Sequence, residues 1–511
     1  MADLRPVIIG VGEASERIDA PDYKALSPVA LAALAAQAAL DDADAPEALA
    51  PHVDVIAAIR QFEVSGPGAK PPFGAADNFP RAVARRIGAD PARAILEPVG
   101  GQGPQHLVNE FAQAIARGEM GMALLVGSEA ISTVRHLASK GETRDWAETV
   151  GGQLEDRGFG VEGLNSQALS RHGARTPISV YALFENARRA KLKLGRQAYA
   201  LEMGRLFSPF TRVAAGNPHA MSREIYKPDE LATVTAPNRL TSDPFPRRMV
   251  ARDQANQGAA VLLTSADRAR ELGVPEHRLV YLHGGADVKE RAPIERQDLS
   301  SSPASILAAK RALDVAGISV DDVDLFDLYS CFPIAVFNVR DGLGIDAQDL
   351  RPLTVTGGLP FFGGAGNNYS MHAIASMVRA LRHHPGDVGL VGANGGFLSK
   401  YSVGVYSTRP SHWTGFESGG LQAQVDAWPA PPLAAAAAGE GTVETYTIDY
   451  AGPAPHAVAV GRLGNGERFV AMSDEADIVD AMIAAEPLGA KVTLAVDETG
   501  RSHIKAFTPA A

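Results

Sequence analysis

Residues 100–129 read GGQGPQHLVNEFAQAIARGEMGMALLVGSE, and residues 363–396 read GGAGNNYSMHAIASMVRALRHHPGDVGLVGANGG. Each stretch opens with a glycine-rich turn, continues as a helix and ends in a short apolar strand. Two distant segments of the chain therefore follow one plan, which predicts that a large structural unit is duplicated.

The segments that precede these stretches are also repeated. SPVALAALAAQAALDDADA (27–45) leads to the strand VDVIAAI (53–59), and SPASILAAKRALDVAGISV (302–320) leads to DVDLFDLYSCF (322–332). Each helix begins at a Ser-Pro pair, which is typical of a helix start. A period of about 265 residues is far too long for a solenoid. The chain is therefore expected to be an α/β protein built from two copies of one domain.

Composition and charge exclude several classes of function. The 511 residues carry a net charge of −11, so nucleic acid is not an expected partner. Cys331 is the only cysteine, which rules out an internal disulfide and a cysteine-ligated zinc, and no metal site is predicted. The start, MADLRPVIIGVGEAS, reads as a strand rather than a signal peptide, and no apolar run reaches the roughly 20 residues of a membrane helix. A cytoplasmic protein that does not enter the membrane is expected.

The pattern along the chain predicts four segments. The first half spans residues 1–265 and includes a loop excursion at about 134–250, and the second half spans residues 266–410. Residues 411–441 form a linker that ends in the Ala- and Pro-rich run WPAPPLAAAAAGEG. Residues 442–511 alternate like strands and contain the hairpin signal LGNGE. They are expected to form a small β-barrel-like domain of the OB type.

Four local strings resemble those of thiolases. PNRLTSDPFPRRM (237–249) followed by NQGAAVLLTS (256–265) resembles the thiolase run of Asn-Arg, Asp-Pro-Phe and Asp-Gln-Gly-Ala-Ala before an apolar strand. DLYSCF (327–332) stands where the sterol-carrier-protein-type thiolases have Glu-Val-His-Asp-Cys-Phe, and TGGLPFFGGAGNN (356–368) stands where thiolases have Gly-His-Pro. The terminal β segment looks like the additional domain of thiolase-like proteins type 1.

By this resemblance the chain is identified as a member of that subgroup. The resemblance covers about residues 5–410 in the thiolase part. It implies the thiolase fold, with duplicated five-stranded αβαβα halves, a loop-domain excursion and an added C-terminal β domain. It also implies CoA or an acyl-CoA thioester as the ligand, with no tightly bound cofactor.

Thiolase chemistry needs a nucleophilic thiolate, a second cysteine that moves a proton, and two oxyanion holes. At each family position this chain has another residue: Gly100 or Gly101 for the nucleophile, Tyr329 and Ser330 for His-Asp, Gly364 for the His of Gly-His-Pro, and Ala393-Asn394-Gly395 for the final Cys-x-Gly. The ordinary thiolase mechanism is therefore not expected.

Tyr329, Asn394 and His372 are the candidate catalytic residues. A phenol at Tyr329 can donate a hydrogen bond to a thioester oxygen, or act as an acid or base if its pKa is lowered. The alternative is that Tyr329 packs or lines the substrate pocket. Asn394 lies in a loop where thiolases keep an active-site residue. His372 supplies a titrating group one turn into its helix, or it packs beneath that helix.

The remaining pocket residues lie in the two glycine-rich loops and beside Tyr329. Cys331 is interpreted first as a small buried residue, with a reactive thiol as the alternative. Asn367 or Asn368 is expected either to cap a helix or to supply an amide to the ligand. The full predicted lining is Gly100, Gly101, Ser330, Cys331, Gly363, Gly364, Asn367 and Asn368.

A cluster of cations in the excursion is a candidate for binding the phosphates of CoA. It consists of Arg188, Arg189, Lys191 and Lys193, with Arg196 close by. The alternative is an ordinary solvated helix face.

Three functions remain open from the sequence. The leading hypothesis is an acyl-CoA-binding protein of the acyltransferase family, of the kind labelled acetyl-CoA acetyltransferase, that does not use the cysteine mechanism. The others are a tyrosine-based aldolase or retro-aldolase acting on β-hydroxyacyl-CoA, and a non-catalytic scaffold that binds a CoA ester. A monomer is preferred over a homodimer, because the β appendage is a candidate to cover the strand edge through which thiolases dimerise.

Overall fold

The computed structural model describes residues 3–510. The strands, in chain order, are β1 (Pro6–Ser15), β2 (Val55–Ile59), β3 (Arg93–Glu97), β4 (Met122–Ala130), β5 (Glu155–Asp156), β6 (Leu240–Ser242), β7 (Phe245–Pro246), β8 (Asn256–Ser265), β9 (Val280–Lys289), β10 (Leu325–Leu328), β11 (Val388–Gly395), β12 (Lys400–Ser407), β13 (Gly439–Asp449), β14 (His456–Leu463), β15 (Arg468–Ser473), β16 (Lys491–Val496) and β17 (Ser502–Thr508).

The helices follow the predicted plan of each half. They are α1 (Pro28–Asp42), α2 (Phe79–Arg86), α3 (Gly103–Ala116), α4 (Ile131–Ser139), α5 (Gln167–Arg171), α6 (Pro177–Leu192), α7 (Arg196–Gly216), α8 (Pro228–Ala232), α9 (Ala266–Glu271), α10 (Pro303–Ala316), α11 (Pro333–Leu343), α12 (Tyr369–His383), α13 (Gly419–Asp426) and α14 (Ala476–Ala484). Within residues 3–510, no helix combines the length and apolarity that a membrane span requires.

The two halves form matching sheets, which are joined into one ten-stranded sheet where β1 pairs with β9 at Val7 and Ile8. The first half has the strand order β3-β2-β4-β8-β1 and the second has β10-β11-β12-β9. The fifth position of the second sheet is taken by an extended segment, because the backbone amides of Phe326 and Leu328 donate to the carbonyls of Pro352 and Leu353. Pro352 has no amide hydrogen with which to continue a ladder. The predicted thiolase fold is confirmed, with this strand reduced to two hydrogen bonds.

The helices of the two halves occupy equivalent layers. α3 and α12 lie between the sheets, while α1 covers the outer face of the first sheet and α10 that of the second. A Cβ added at Gly10 of β1 would lie 1.9 Å from the Ala39 carbonyl oxygen, and one at Gly284 of β9 would lie 2.1 Å from that of Ala312. Only glycine permits this approach of an Ala-rich helix to its strand, and the same contact occurs in both halves.

The five last strands close into a small barrel. Their order is β13-β14-β15-β17-β16 and back to β13, with β15 and β17 parallel and α14 between β15 and β16. A five-stranded barrel of this kind is OB-like. The β6–β7 hairpin of the excursion adds to β13 at the pair Ser242 and Asp449. The segment predicted as a linker includes α13, whose Leu421 and Val425 are buried.

Charged residues of the excursion cover the free edge of the first sheet. β5 pairs with β3 through Ile95 and Leu96, and Arg93 forms an ion pair with Glu155. The hypothesis that the terminal barrel covers this edge is wrong, because β5 already occupies it. A very short edge strand with charged side chains, such as β5, is a common way to prevent a sheet edge from pairing with another chain.

Candidate functional site

Two glycine-rich loops meet where α3 and α12 begin. The Ser370 hydroxyl donates to the Gly101 carbonyl at 2.6 Å, and the Gly100 amide donates to Asn367 Oδ1 at 3.1 Å. Asn367 Nδ2 in turn donates to the Arg60 carbonyl at 2.8 Å. Asn367, predicted to line a pocket or cap a helix, therefore cross-links the two halves of the protein.

Tyr329 fills the space beside Gly101. A Cβ built on Gly101 would lie 2.2 Å from the Tyr329 hydroxyl oxygen and 2.6 Å from the Asn394 carbonyl oxygen. The first distance is far below a van der Waals contact, so the fold in this form admits no side chain at residue 101. Two of the predicted site residues, Tyr329 and Gly101, are thus in direct contact.

The Tyr329 phenol is held as a neutral hydrogen-bond donor. Its side chain packs edge-on against Tyr369 with ring centroids 5.4 Å apart, and the residue is 8% exposed. The hydroxyl forms no hydrogen bond to another side chain or backbone group within residues 3–510. Burial, and then the neighbouring Cys331, raise the pKa of Tyr329 well above its usual value. A phenol in this state donates a proton in a hydrogen bond but does not serve as a base near neutral pH.

Asn394 and Cys331 form a second contact with α6. Asn394 Nδ2 donates to the Tyr181 hydroxyl at 2.7 Å and lies 3.8 Å from Cys331 Sγ. The Tyr181 hydroxyl donates to the Gly396 carbonyl at 3.1 Å. Burial raises the pKa of the Cys331 thiol to about 12. Cys331 is therefore a protonated, buried thiol at neutral pH, and the thiolate needed for acyl transfer is absent.

Tyr181 is a site residue that the sequence did not single out. It lies on the buried face of α6, stacked on Phe332 at 4.4 Å between ring centroids. The sequence SVYALF shows only an aromatic residue on an amphipathic helix. Its contact with Asn394 depends on how the excursion folds back over the second half.

His372 is fixed by a buried hydrogen bond to Glu13. Its Nδ1 lies 2.5 Å from Glu13 Oε1, and neither side chain is exposed. Arg379 binds the other oxygen of Glu13. Burial alone would raise the pKa of Glu13, but the hydrogen bond and charge of His372 lower it to about 2. These contacts place His372 in a structural network that joins α12 to β1.

The other predicted lining residues shape the loops. The Leu359 amide donates to the Ser330 hydroxyl at 3.2 Å, and the Gly364 amide donates to the Arg252 carbonyl at 2.7 Å. Gly363 has φ near +122°, and a Cβ there would lie 2.8 Å from Gln257 Oε1. Glycine is thus required at residue 363 by both conformation and space.

Asn368 and Glu129 are buried polar groups beneath these loops. Asn368 is 1% exposed, and neither its Oδ1 nor its Nδ2 has a partner within the described residues. Glu129 accepts a hydrogen bond from the Phe62 amide at 2.9 Å, and burial raises its pKa to about 8. Sequence reasoning missed Glu129, because nothing in LLVGSE distinguishes a buried acid from an exposed one.

The prediction that Arg188 and Arg189 bind the phosphates of CoA is wrong, because both side chains are buried and paired within the protein. Arg188 and Arg189 are 4% and 1% exposed. Arg188 pairs with Asp341 at 2.8 Å, and Arg189 pairs with Glu486 of the terminal barrel at 2.6 Å. Both face neighbouring elements because α6 packs against β13 and α11. The remaining pair lies at the end of α6, where Lys191 is 3.4 Å from Asp298 and Lys193 is exposed.

Three other arginines lie beside the site. The Ala251 amide donates to the Cys331 carbonyl at 2.9 Å, so the segment that carries Arg247, Arg248 and Arg252 runs along the predicted pocket. None of the three forms an ion pair with a carboxylate in residues 3–510, and Arg247 and Arg252 are exposed. These three residues are called the arginine cluster below, and guanidinium groups without a carboxylate partner are suited to bind an anion.

Together, fold and site define a thiolase-fold protein that lacks the thiolase catalytic residues and carries an added barrel. Comparison with known proteins agrees. Residues 420–499 match the family described as the thiolase-like protein type 1 additional C-terminal domain. The crystal structure of a monomeric SCP2-thiolase-like protein type 1 from Mycobacterium smegmatis is 44% identical, covers 100% of both chains and superposes with a TM-score of 0.85. The chain belongs to the SCP2-thiolase-like proteins type 1.

More distant structures share the fold alone. The Ltp2–ChsH2(DUF35) aldolase is 20% identical, with a TM-score of 0.57 over 80% of this chain and 98% of the other. Human mitochondrial 3-ketoacyl-CoA thiolase is 18% identical, with a TM-score of 0.56 over 80% of this chain and 100% of the other. No curated protein matches the chain significantly.

Proposed function

We propose that this protein binds a CoA thioester at the junction of its halves and does not form an acyl-enzyme. The observation that carries the proposal is the Tyr329 hydroxyl, which occupies the place beside Gly101 and has no hydrogen-bond partner in residues 3–510. A neutral phenol in a buried site is suited to donate to the carbonyl oxygen of a thioester. Bound in this way, the acyl group is held without being transferred.

The charges around the site support a CoA ester over a neutral ligand. CoA carries a pyrophosphate and a 3′-phosphate, and guanidinium groups bind phosphates through paired hydrogen bonds. The arginine cluster lies along the segment that contacts Cys331 and Gly364. The phosphates would bind there, while the acyl end reaches Tyr329.

A tyrosine-based aldolase is the second candidate, favoured by the same phenol. In a retro-aldol cleavage of β-hydroxyacyl-CoA, a base removes the hydroxyl proton, the carbon–carbon bond breaks to give a carbonyl, and the resulting enolate takes up a proton. The raised pKa of Tyr329 makes it a poor base for removing the hydroxyl proton, although a neutral phenol can supply the proton that the enolate takes up. Binding without turnover is therefore the function that we favour.

Equilibrium titration with acetyl-CoA tests the proposal. Arg252→Glu should weaken binding about tenfold or more, because one phosphate contact becomes a repulsion. Lys310→Glu makes the same change of net charge on α10, at an exposed residue on the outer face of the second half, and should leave binding unchanged. Equal losses in both variants, or no saturable binding to the wild-type protein, would contradict the proposal.

Tyr329→Phe separates the two candidate functions. Removing the hydroxyl should weaken acetyl-CoA binding several-fold and leave the affinity for free CoA unchanged, because free CoA has no acyl carbonyl. Incubation of the wild-type protein with a β-hydroxyacyl-CoA should give no cleavage products. Cleavage that is lost in Tyr329→Phe would instead establish the aldolase.

A further inference from the structure

A second cleft lies between the excursion and the terminal barrel. It measures about 700 Å³ and is lined by the first turn of α7, the end of α8 and its following loop, the β6–β7 hairpin and two barrel residues, Tyr450 and Ile483. A volume of this size accommodates a small molecule rather than an isolated water. Apart from Arg196, none of the residues considered for CoA binding in the sequence lines it.

The walls of this barrel cleft are mostly apolar. Leu201, Val234, Leu240 and Ile483 face it, together with prolines of the hairpin. Val234 is 52% exposed at the rim. Apolar side chains that surround an open space of this kind favour a ligand with a hydrocarbon body.

The floor of the cleft carries a nearly buried carboxylate. Asp243 is 7% exposed, and its Oδ2 accepts a hydrogen bond from the Tyr446 hydroxyl at 2.9 Å and lies 3.6 Å from Arg196 Nε. Asp243 Oδ1 receives no hydrogen bond from the described part of the chain, and Asp243 lines the cleft. Oδ1 is therefore left free by the protein at the wall of the cleft, where it can accept a hydrogen bond from a ligand that supplies a donor.

Neighbouring charges decide the kind of donor. The guanidinium of Arg196 is already used, because it donates to the Tyr446 hydroxyl at 3.0 Å and to the Met482 carbonyl at 2.7 Å. The Asp243 carboxylate and the Arg196 guanidinium balance each other at the floor. An anionic head group would be repelled by the Asp243 carboxylate. A cationic head group would be repelled by the Arg196 guanidinium, which remains paired with Asp243. A neutral hydroxyl satisfies Oδ1 without adding a charge.

We propose that the barrel cleft binds a neutral, largely hydrocarbon alcohol, with the hydroxyl donating to Asp243 Oδ1 and the apolar body against Leu201, Val234 and Ile483. The site is built jointly by the excursion and the barrel, so the barrel contributes directly to ligand binding. It is separate from the thioester site proposed above, since neither Tyr329 nor the arginine cluster lines the cleft.

Titration calorimetry of the full-length protein with decan-1-ol tests this site, with decanoate and decylammonium as charged analogues of the same chain length. Decan-1-ol should bind saturably, and both ions should bind about tenfold or more weakly because burial of a head-group charge is uncompensated. Equal or tighter binding of either ion would overturn the assignment of an alcohol. The absence of saturable decan-1-ol binding would overturn the site itself.

A matched pair of surface variants locates the binding. Val234→Asp places a carboxylate at the rim and should weaken decan-1-ol binding about tenfold or more. Ile225→Asp makes a similar change at an apolar residue of the excursion that is 56% exposed and does not line the cleft. It should leave binding unchanged. Equal losses in both variants, or no loss in Val234→Asp, would refute the proposed location. Both variants should bind acetyl-CoA as the wild-type protein does, so a failure of the barrel cleft can be told from a failure of the thioester site.

Discussion

Gly101→Cys places a thiol at the position where thiolases carry their nucleophile, and the surrounding packing predicts a destabilised protein without acyl transfer. The added Cβ would lie 2.2 Å from the Tyr329 hydroxyl oxygen, 2.6 Å from Tyr329 Cζ and 2.6 Å from the Asn394 carbonyl oxygen. The first two atoms belong to the Tyr329 side chain, whose ring packs against Tyr369, and the third belongs to the backbone of Asn394. None can move away without disturbing the centre of the fold.

The expected cost follows from this overpacking. Extra atoms forced into a well-packed core cost typically about 1–3 kcal/mol. Because three contacts are violated at once, we expect about 3 kcal/mol for Gly101→Cys. Adding Tyr329→Phe removes the hydroxyl but leaves Cζ and the Asn394 carbonyl at 2.6 Å, so the double variant should recover only part of the loss.

Urea unfolding and intact mass spectrometry measure the two consequences. The urea midpoint of Gly101→Cys should fall with little change in slope, and incubation with acetyl-CoA should give no acyl adduct at residue 101. Gly103→Ala is the control at the same loop–helix junction, since its nearest neighbours lie at 3.3 Å and 3.4 Å. It should stay within about 1 kcal/mol of wild type. A Gly101→Cys protein that is as stable as wild type and becomes acetylated would refute the account of a filled nucleophile position.

Three further variants test the buried charges. Burial raises the pKa of Glu129 from 4.5 to about 8, so its contribution to stability is present below pH 4.5 and is lost as the pH rises towards 8. The melting temperature of Glu129→Gln relative to wild type should therefore rise between pH 5 and 8, and a constant difference would contradict this. Arg189→Ala should cost about 2–3 kcal/mol, because it removes a fully buried side chain and its hydrogen bonds to Asn186 and Tyr446. An unchanged unfolding transition in calorimetry would count against this. His372→Gln should cost about 1–3 kcal/mol at pH 7, because the buried Glu13 carboxylate loses a hydrogen bond and keeps only Arg379 as its partner. Since the pKa of Glu13 is lowered to about 2, this loss should shrink as the pH falls below 4.5, and a loss independent of pH would contradict the assignment.

The architecture was predictable because the same order of helices, strands and glycine-rich loops occurs twice in the sequence. Hydrophobic periodicity and the repeated Ser-Pro and glycine-rich signals define both halves without knowledge of long-range contacts. The contact of Tyr329 with Gly101 was also within reach, since both align with catalytic positions of one family. The alternation of residues 442–511 was sufficient to predict a small β domain.

Contacts between segments distant in sequence were not predictable. Arg188 and Arg189 stand on a helix whose basic pattern is typical of a solvated face. They are buried because α11 and the barrel supply Asp341 and Glu486. The covering of β3 by β5 has the same origin, since a two-residue strand leaves no pattern in the sequence.

We propose that a thioester carbonyl binds at Tyr329 without covalent transfer of the acyl group. The most direct test is a crystal structure with a non-hydrolysable acyl-CoA analogue at saturating concentration. The carbonyl oxygen should lie about 2.6–2.9 Å from the Tyr329 hydroxyl, with the phosphates at the arginine cluster and no covalent bond to the protein. An analogue bound elsewhere, or a site that stays closed by Tyr329 at saturation, would contradict it.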